Sequence, residues 1–152
     1  MRPKQRARVS VIIPGELLIS SFPTPDDASW LREEFGVDAV ISLQDHFDLR
    51  AKNLDEKELE EAYARAGIVF QRIPISDFDP EDVKRHVGRV IDTIHGYRTA
   101  GCAVLVHCNA GYNRAPTAVI GYLHRHGGME LRAAEAFVRE RRGCAPYMAV
   151  LE

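Results

Sequence analysis

Cysteine is scarce in this 152-residue chain. The three present, Cys102, Cys108 and Cys144, are odd in number and form no CxxC pair. That excludes a disulfide scaffold and suits a reducing compartment, so a cytoplasmic location is expected. The six histidines make no zinc-like constellation. His124 and His126, two apart, point to different faces of a helix and read as surface residues. No metal and no other cofactor is expected. A basic surplus is missing too: the net charge of -2 argues against a general nucleic-acid binder, and no DNA partner is expected. No apolar run is long enough to span a bilayer, so no membrane partner is expected. "VSVIIPGELLI" is broken by Pro14-Gly15 and lacks a signal cleavage site. Repeats, low-complexity tracts and linkers are absent. Residues 1–152 therefore read as a single domain, long enough to bury a core. Its basic start, residues 1–8, reads as a frayed, flexible arm.

What is present alternates. Val9 to Ile13 and Glu16 to Ile19 flank Pro14-Gly15 as a hairpin. "TPDDASWLREEFG" has an acidic first turn and a closing glycine, as a helix does. "VDAVISLQ" predicts a buried strand, "LDEKELEEAYARAG" a charged helix, and "IVFQRIPI" the next strand. "SDFDPEDV" is a loop running into a long helix with Val83, Val87, Val90, Ile91, Ile94 and Tyr97 at helical spacing. "CAVLV" predicts a strand buried on both sides. "APTAVIGYLHRHGG" and "MELRAAEAFVRERRG" close the chain as helices, with "RERR" as a solvated helix end. The pattern predicts an α/β fold: a central mixed, largely parallel sheet flanked by helices.

The chemistry concentrates in "VLVHCNAGYNRAP". A loop leaving the C-terminal end of a central strand and opening a helix is where open α/β sheets place ligands. Backbone N–H groups and the helix N-terminus make such a loop an anion site, here Asn109, Ala110, Gly111, Tyr112, Asn113 and Arg114. Arg114 can grip two phosphate oxygens with its planar fork. No Gly-Lys-Ser/Thr follows the glycine, so this is not a Walker loop. A helix N-terminus beside an arginine favours thiolate chemistry at Cys108, a nucleophile suited to phosphorus. His107 stands behind the loop as its support.

"HCNAGYNRAP" resembles the HCxxGxxR signature of the cysteine-dependent protein tyrosine phosphatases, in their dual-specificity branch. The resemblance implies the dual-specificity phosphatase fold, with Cys108 as nucleophile and Arg114 as phosphate clamp. It also implies an aspartate general acid on a separate loop, roughly thirty residues upstream. Asp77 lies 31 positions before Cys108, with Asp79 and Asp82 as competitors. Asp79 directly precedes Pro80 and fits a helix cap, so Asp77 is favoured. The family usually has Ser or Thr after the arginine to help the cysteine leave. Ala115 stands there, which bears on the second chemical step, with Thr117 or Asn113 as partial substitutes.

Arg-Ala-Pro resembles the glucan phosphatases of plants, and "HCNAG" resembles laforin. "DFD" at 77–79, "LQ" at 43–44 and "RRGCAP" also look like the plant glucan enzymes. The expected partner is a phosphorylated substrate, glucan or phosphoprotein, with Phe78 and Tyr112 as cleft candidates. The alternatives are a protein Tyr/Ser/Thr phosphatase, an RNA 5′-triphosphatase suggested by "YNR", and a non-catalytic phosphate-binding module.

Overall fold

The strand that leads into the signature, Val104–His107, is buried at every residue and lies in the middle of a five-stranded sheet. The computed structural model describes residues 5–152. Val9–Ile13 (β1) and Leu17–Ser20 (β2) form the antiparallel hairpin. Ala39–Ser42 (β3), Val69–Arg72 (β4) and Val104–His107 (β5) complete the order β1-β2-β5-β3-β4. β5 runs parallel to both β2 and β3, and β4 parallel to β3. The sheet is therefore mixed and largely parallel, as expected.

Alternation along the strands sends side chains into two cores. Leu17, Ile19, Ile41, Val104 and Val106 join one, with Val83, Val87, Val90 and Ile94 of Pro80–Thr99 (α4), Val119 and Leu123 of Arg114–Arg125 (α5), and Val138 of Leu131–Arg141 (α6). Leu18, Val40 and Leu105 join the other, with Leu31 of Ala28–Phe35 (α1), Leu49 of His46–Ala51 (α2), and Leu59 and Tyr63 of Glu56–Arg65 (α3). Each fully buried aliphatic chain stabilises the fold by about 1.5–3 kcal/mol. Asp55 and Asp79 cap α3 and α4 through their side chains, and Pro80 opens α4.

The structure adds two elements to those that the sequence pattern predicts, α2 and the short 3-10 turn Met148–Leu151. The basic start is tied down where it is described: residues 1–4 lie outside the described residues, but Ala7 is buried. The Arg8 N–H donates to the Ser21 hydroxyl at 2.8 Å, and the Arg8 carbonyl accepts from the Ser21 N–H at 3.1 Å. "RERR" is not simply solvated either, because Arg142 turns back under the signature loop.

Because β3, β4 and β5 are parallel, the segments after them leave from one edge of the sheet. That edge gathers 43–48, 73–79 and 108–114.

Candidate active site

The loop from Cys108 to Asn113 is held by its carbonyls. The Cys108 carbonyl is 3.0 Å from His107 Nδ1, and Asn109 accepts from the Phe22 N–H at 2.9 Å. Arg142 donates through Nη2 to Ala110 at 2.9 Å and through Nε to Gly111 at 2.7 Å. Tyr112 accepts from the Ala145 N–H at 2.8 Å, and Asn113 from the Thr117 hydroxyl at 2.7 Å. Six consecutive carbonyls thus bond away from the loop. In a planar trans peptide the next N–H points opposite to the carbonyl. The N–H groups of 109–114 therefore face the concave side and form an anion nest. Gly111 makes the curl possible: its φ is +67°, and a Cβ there would lie 2.6 Å from the Ser20 carbonyl oxygen and from Arg142 Nη2.

Arg114 closes the nest from one side. It is 1% exposed. Its Nη1 donates to Asp48 Oδ2 and to the Ile75 carbonyl, both at 2.7 Å. Its Nη2 lies 3.3 Å from Asp77 Oδ2. Its Nε is buried with no partner among the described residues. An unpaired donor on a buried cation is costly unless a ligand satisfies it. Asp48 is in turn held by Asn109 Nδ2 at 2.8 Å, and Asn109 Oδ1 accepts from Gln44 Nε2 at 2.8 Å. Burial pushes the Asp48 carboxyl up, but the Arg114 hydrogen bond, the Asp45 N–H, the Arg114 charge and Asn109 outweigh it and hold the group below its ordinary range.

The site pocket encloses about 200 Å³ and is lined by Asp77, Phe78, Cys108, Asn109, Ala110, Tyr112, Asn113 and Arg114. The structure therefore brings together the loop residues, Cys108, Arg114 and Asp77 singled out from sequence, with both cleft aromatics. Asp77 and its competitors separate cleanly. Asp79 Oδ1 accepts from the Asp82 N–H at 3.1 Å as the α4 cap, and Asp82 takes the Ser76 N–H at 2.7 Å. Only Asp77 meets the clamp.

His107 is fully enclosed, and burial, with the Arg114 charge, pushes its imidazole down to about 4 despite the Cys108 bond. It is neutral at pH 7, so Nδ1–H donates to the Cys108 carbonyl. The unfolded chain binds this proton near pH 6.5 and the folded one only near 4. Its stabilising contribution is therefore present above pH 6.5 and is lost as pH falls to 4, by up to about 3 kcal/mol. Urea midpoints across pH 4–7 should fall with one-proton steepness. His107→Asn, which keeps a donor, should flatten that slope, and parallel slopes in the two proteins would refute the assignment.

With this geometry in hand, one comparison decides the family: residues 25–149 match the pattern of the dual specificity phosphatase catalytic domain. The chain belongs to that family. Within it, the chain is 29% identical over 144 residues to the amyloplastic phosphoglucan phosphatase DSP4 of Castanea sativa, covering 93% of this chain and 38% of that one. It is 27% identical to laforin of Mus musculus over 121 residues, 74% of this chain and 37% of the relative. The chain thus spans well under half of these curated relatives. The crystal structure of Tk-PTP in the active form aligns with a TM-score of 0.77 at 26% identity, over 94% of this chain and 92% of that one.

Asp48 and Phe47 carry no expectation from the sequence, and Gln44 and Arg142 fall in "LQ" and "RRGCAP" with no role assigned to them there. Asp48, Gln44 and Arg142 build the frame around the loop of this dual-specificity domain. Phe47, on the same short helix as Asp48, is 76% exposed. The one local trace of Asp48 was the Asp45-x-x-Asp48 capping box, with each side chain taking the other's N–H. Nothing local in "RRGCAP" tells that Arg142 would hold the loop. The two groups named as stand-ins for the hydroxyl missing at Ala115 are committed elsewhere. Thr117 Oγ1 donates to Asn113 and accepts from the Tyr147 N–H at 2.8 Å, and Asn113 Nδ2 donates to Ala145 at 2.7 Å.

Proposed function

We propose that this domain hydrolyses phosphomonoesters through a phosphocysteine intermediate, with phosphorylated glucan as its substrate. The observation that carries the chemistry is the nest of six inward N–H groups closed by a buried arginine whose Nε lacks a partner among the described residues. A phosphoryl group spreads charge over three equatorial oxygens in the transition state, where such fixed donors act most strongly. Cys108 Sγ attacks phosphorus from the floor of the nest. The P–O bond breaks as Asp77, beside Arg114 Nη2 at 3.3 Å, gives its proton to the leaving oxygen. Water then loses a proton to Asp77 and attacks phosphorus. The S–P bond breaks and the thiolate is restored. The outcome is one phosphate and one alcohol per water.

Asp77→Asn should slow hydrolysis of an alkyl phosphate by about 10²–10⁴-fold. An aryl phosphate with a good leaving group should lose far less in its first step. Equal losses on both esters would remove Asp77 as the acid. Ala115→Ser should speed breakdown of the intermediate, because Thr117 and Asn113 are both committed elsewhere. Stopped-flow burst kinetics would show it as a smaller burst and a faster steady phase. An unchanged burst counts against the idea.

The glucan reading rests on the mouth. Phe78 is 81% exposed and Tyr112 50%, and both line the pocket. Aromatic faces around an otherwise small phosphate pocket suit a large neutral partner bearing the ester. The similarity to DSP4 and laforin supports the same choice. Phosphate release should be fastest from phosphorylated amylopectin or glycogen when these are compared with a phosphotyrosine peptide and RNA 5′-triphosphate. A strong preference for either of the last two would overturn the reading. A cytoplasmic location belongs to the same proposal, supported by three free cysteines among the described residues. No helix among these residues is long and apolar enough to cross a membrane.

A further inference from the structure

Twice in this chain an acid three positions after a capping residue takes that residue's N–H. Asp27 Oδ2 accepts from the Thr24 N–H at 3.0 Å, at the 3-10 turn Pro25–Asp27, and Asp48 Oδ2 from the Asp45 N–H at 2.9 Å, at α2. Such a reciprocal box satisfies donors that a helix start leaves over. α4 has the same parts: Asp79 caps it, Pro80 opens it, and Asp82 stands third. Asp79 Oδ1 takes the Asp82 N–H at 3.1 Å, but the return bond is not made. Asp82 Oδ2 reaches past the cap instead and takes the Ser76 N–H at 2.7 Å.

That diverted bond lands beside Asp77. The Ile75 N–H is joined to the Leu43 carbonyl at 3.1 Å, and the Ile75 carbonyl takes Arg114 Nη1 at 2.7 Å. Beyond it, residues 76–78 enter no backbone–backbone hydrogen bond among the described residues. The backbone on either side of the Asp77 side chain therefore hangs on the Asp82 clip at one end and the α4 cap at the other. Asp82 is itself anchored. Its side chain is 13% exposed, and Oδ1 takes Arg85 Nη2 at 3.1 Å and lies 3.4 Å from His86 Nδ1. The Ser76 N–H does most to hold the Asp82 carboxyl below its ordinary range, with Arg85 and His86 adding to it against burial. A charge-assisted bond of this kind is short and directional.

We propose that Asp82 is a positioning residue for proton transfer: its carboxylate, clipped to the Ser76 N–H, sets Asp77 at the oxygen that leaves the phosphate. The proposal rests on the reading of Asp77 as the acid and is independent of the glucan reading. Asp82 does not line the pocket, so it acts through Asp77 and not on the ester. A catalytic acid must come within hydrogen-bond reach of the atom it protonates, and a misplacement of about 1 Å can cost about 10²-fold. Only an ester whose leaving oxygen needs a proton feels that loss.

The test compares an alkyl phosphate with p-nitrophenyl phosphate through kcat/KM, which reports the steps up to loss of the alcohol. Asp82→Ala should lower the alkyl value about 10–10²-fold and the p-nitrophenyl value less than about threefold. Asp82→Asn keeps an oxygen for the Ser76 N–H and should stay within about threefold of the unaltered protein on both esters. Inhibition by inorganic phosphate should be the same in all three proteins, because the nest and Arg114 are untouched. Equal losses on the two esters, or weaker phosphate inhibition, would mark a general loosening and overturn the proposal. So would an Asp82→Asn protein as slow as Asp82→Ala on the alkyl ester, since the acceptor is what the clip needs. In an Asp77→Asn background, Asp82→Ala should cost the alkyl ester less than about twofold more, because sites acting as a unit do not add. A full further loss there overturns the positioning role and leaves Asp77 as the acid. Asp77→Asn losses that are equal on both esters remove the acid itself, and this proposal with it. Hydrogen exchange reads the clip without turnover. The Ser76 amide should exchange slowly in the unaltered protein and in Asp82→Asn, and fast in Asp82→Ala. Equal exchange in all three also overturns it.

Discussion

Cys108→Ser is expected to lose at least about 10⁴-fold in turnover on a generic aryl phosphate, because a neutral hydroxyl replaces the attacking sulfur. Binding of inorganic phosphate or tungstate should persist. None of the donors in the nest belongs to the Cys108 side chain, and Arg114 is held by Asp48 and Ile75 rather than by sulfur. The two measurements together separate chemistry from binding. Steady-state rates should collapse while calorimetry still records a saturable anion site. Activity within tenfold of the unaltered protein would falsify the phosphocysteine mechanism. Loss of both activity and binding would show that the thiolate charge shapes the nest.

Asp48→Ala should be the most damaging change outside the loop. Arg114 is 1% exposed and its partner carboxylate 8%. Deleting the acid leaves the buried cation with only the more exposed Asp77 carboxylate, 3.3 Å from Nη2, as counter-charge, a loss of up to about 3–5 kcal/mol in folding stability. It also frees Nη1 from one of its two short bonds, so the fork no longer aims at the nest. kcat should fall by about 10²-fold or more, since the clamp acts most strongly on the transition state. Asp48→Asn keeps an oxygen acceptor and should fold better, yet it should still lose kcat more than KM. Acid adds a check: the Asp48 carboxyl is held below its ordinary value in the fold. Its contribution is thus complete above the unfolded value near pH 4 and disappears as pH falls through the depressed one. The Asp48→Asn protein should lack that part of the acid transition. A variant with unchanged melting temperature and kcat would mean that Asp77 and the carbonyls of Ile75 and Leu43, the latter 3.4 Å from Nη1, hold Arg114 without Asp48.

The contrast between Cys108 and Asp48 also marks what the sequence discloses. β5, the loop and α5 are continuous in the chain, so burial, glycine and the cysteine–arginine spacing lie side by side and can be read directly. Asp77 is legible because Asp79, next to Pro80, is recognisable as a cap and leaves the earlier aspartate for the site. Asp48 reaches Arg114 only because β3 lies beside β5, a pairing decided by the whole sheet. Its helix, His46–Ala51, has six residues, fewer than two turns and too short to show a period. Arg142 fails for another reason. In "RERR" four charged residues look alike, and the one at the end of α6 turns inward because the chain there changes to extended backbone, with φ -150° and ψ 128°.

Phe78 carries a further implication. It sits between the proposed acid and the α4 cap with φ of 58°, a left-handed backbone, and 81% of its surface in water. An L-residue with a Cβ is disfavoured there by about 1–2 kcal/mol. Glycine or asparagine would relax the backbone, and asparagine would also suit the solvent. Mutational drift governed by folding alone would therefore carry this position away from phenylalanine. On the proposed function, selection for thermal tolerance and selection for turnover of a bulky ester pull against each other at this residue. A screen of random variants scored only on heat resistance is expected to discard the aromatic ring early, and with it the grip on the larger substrate.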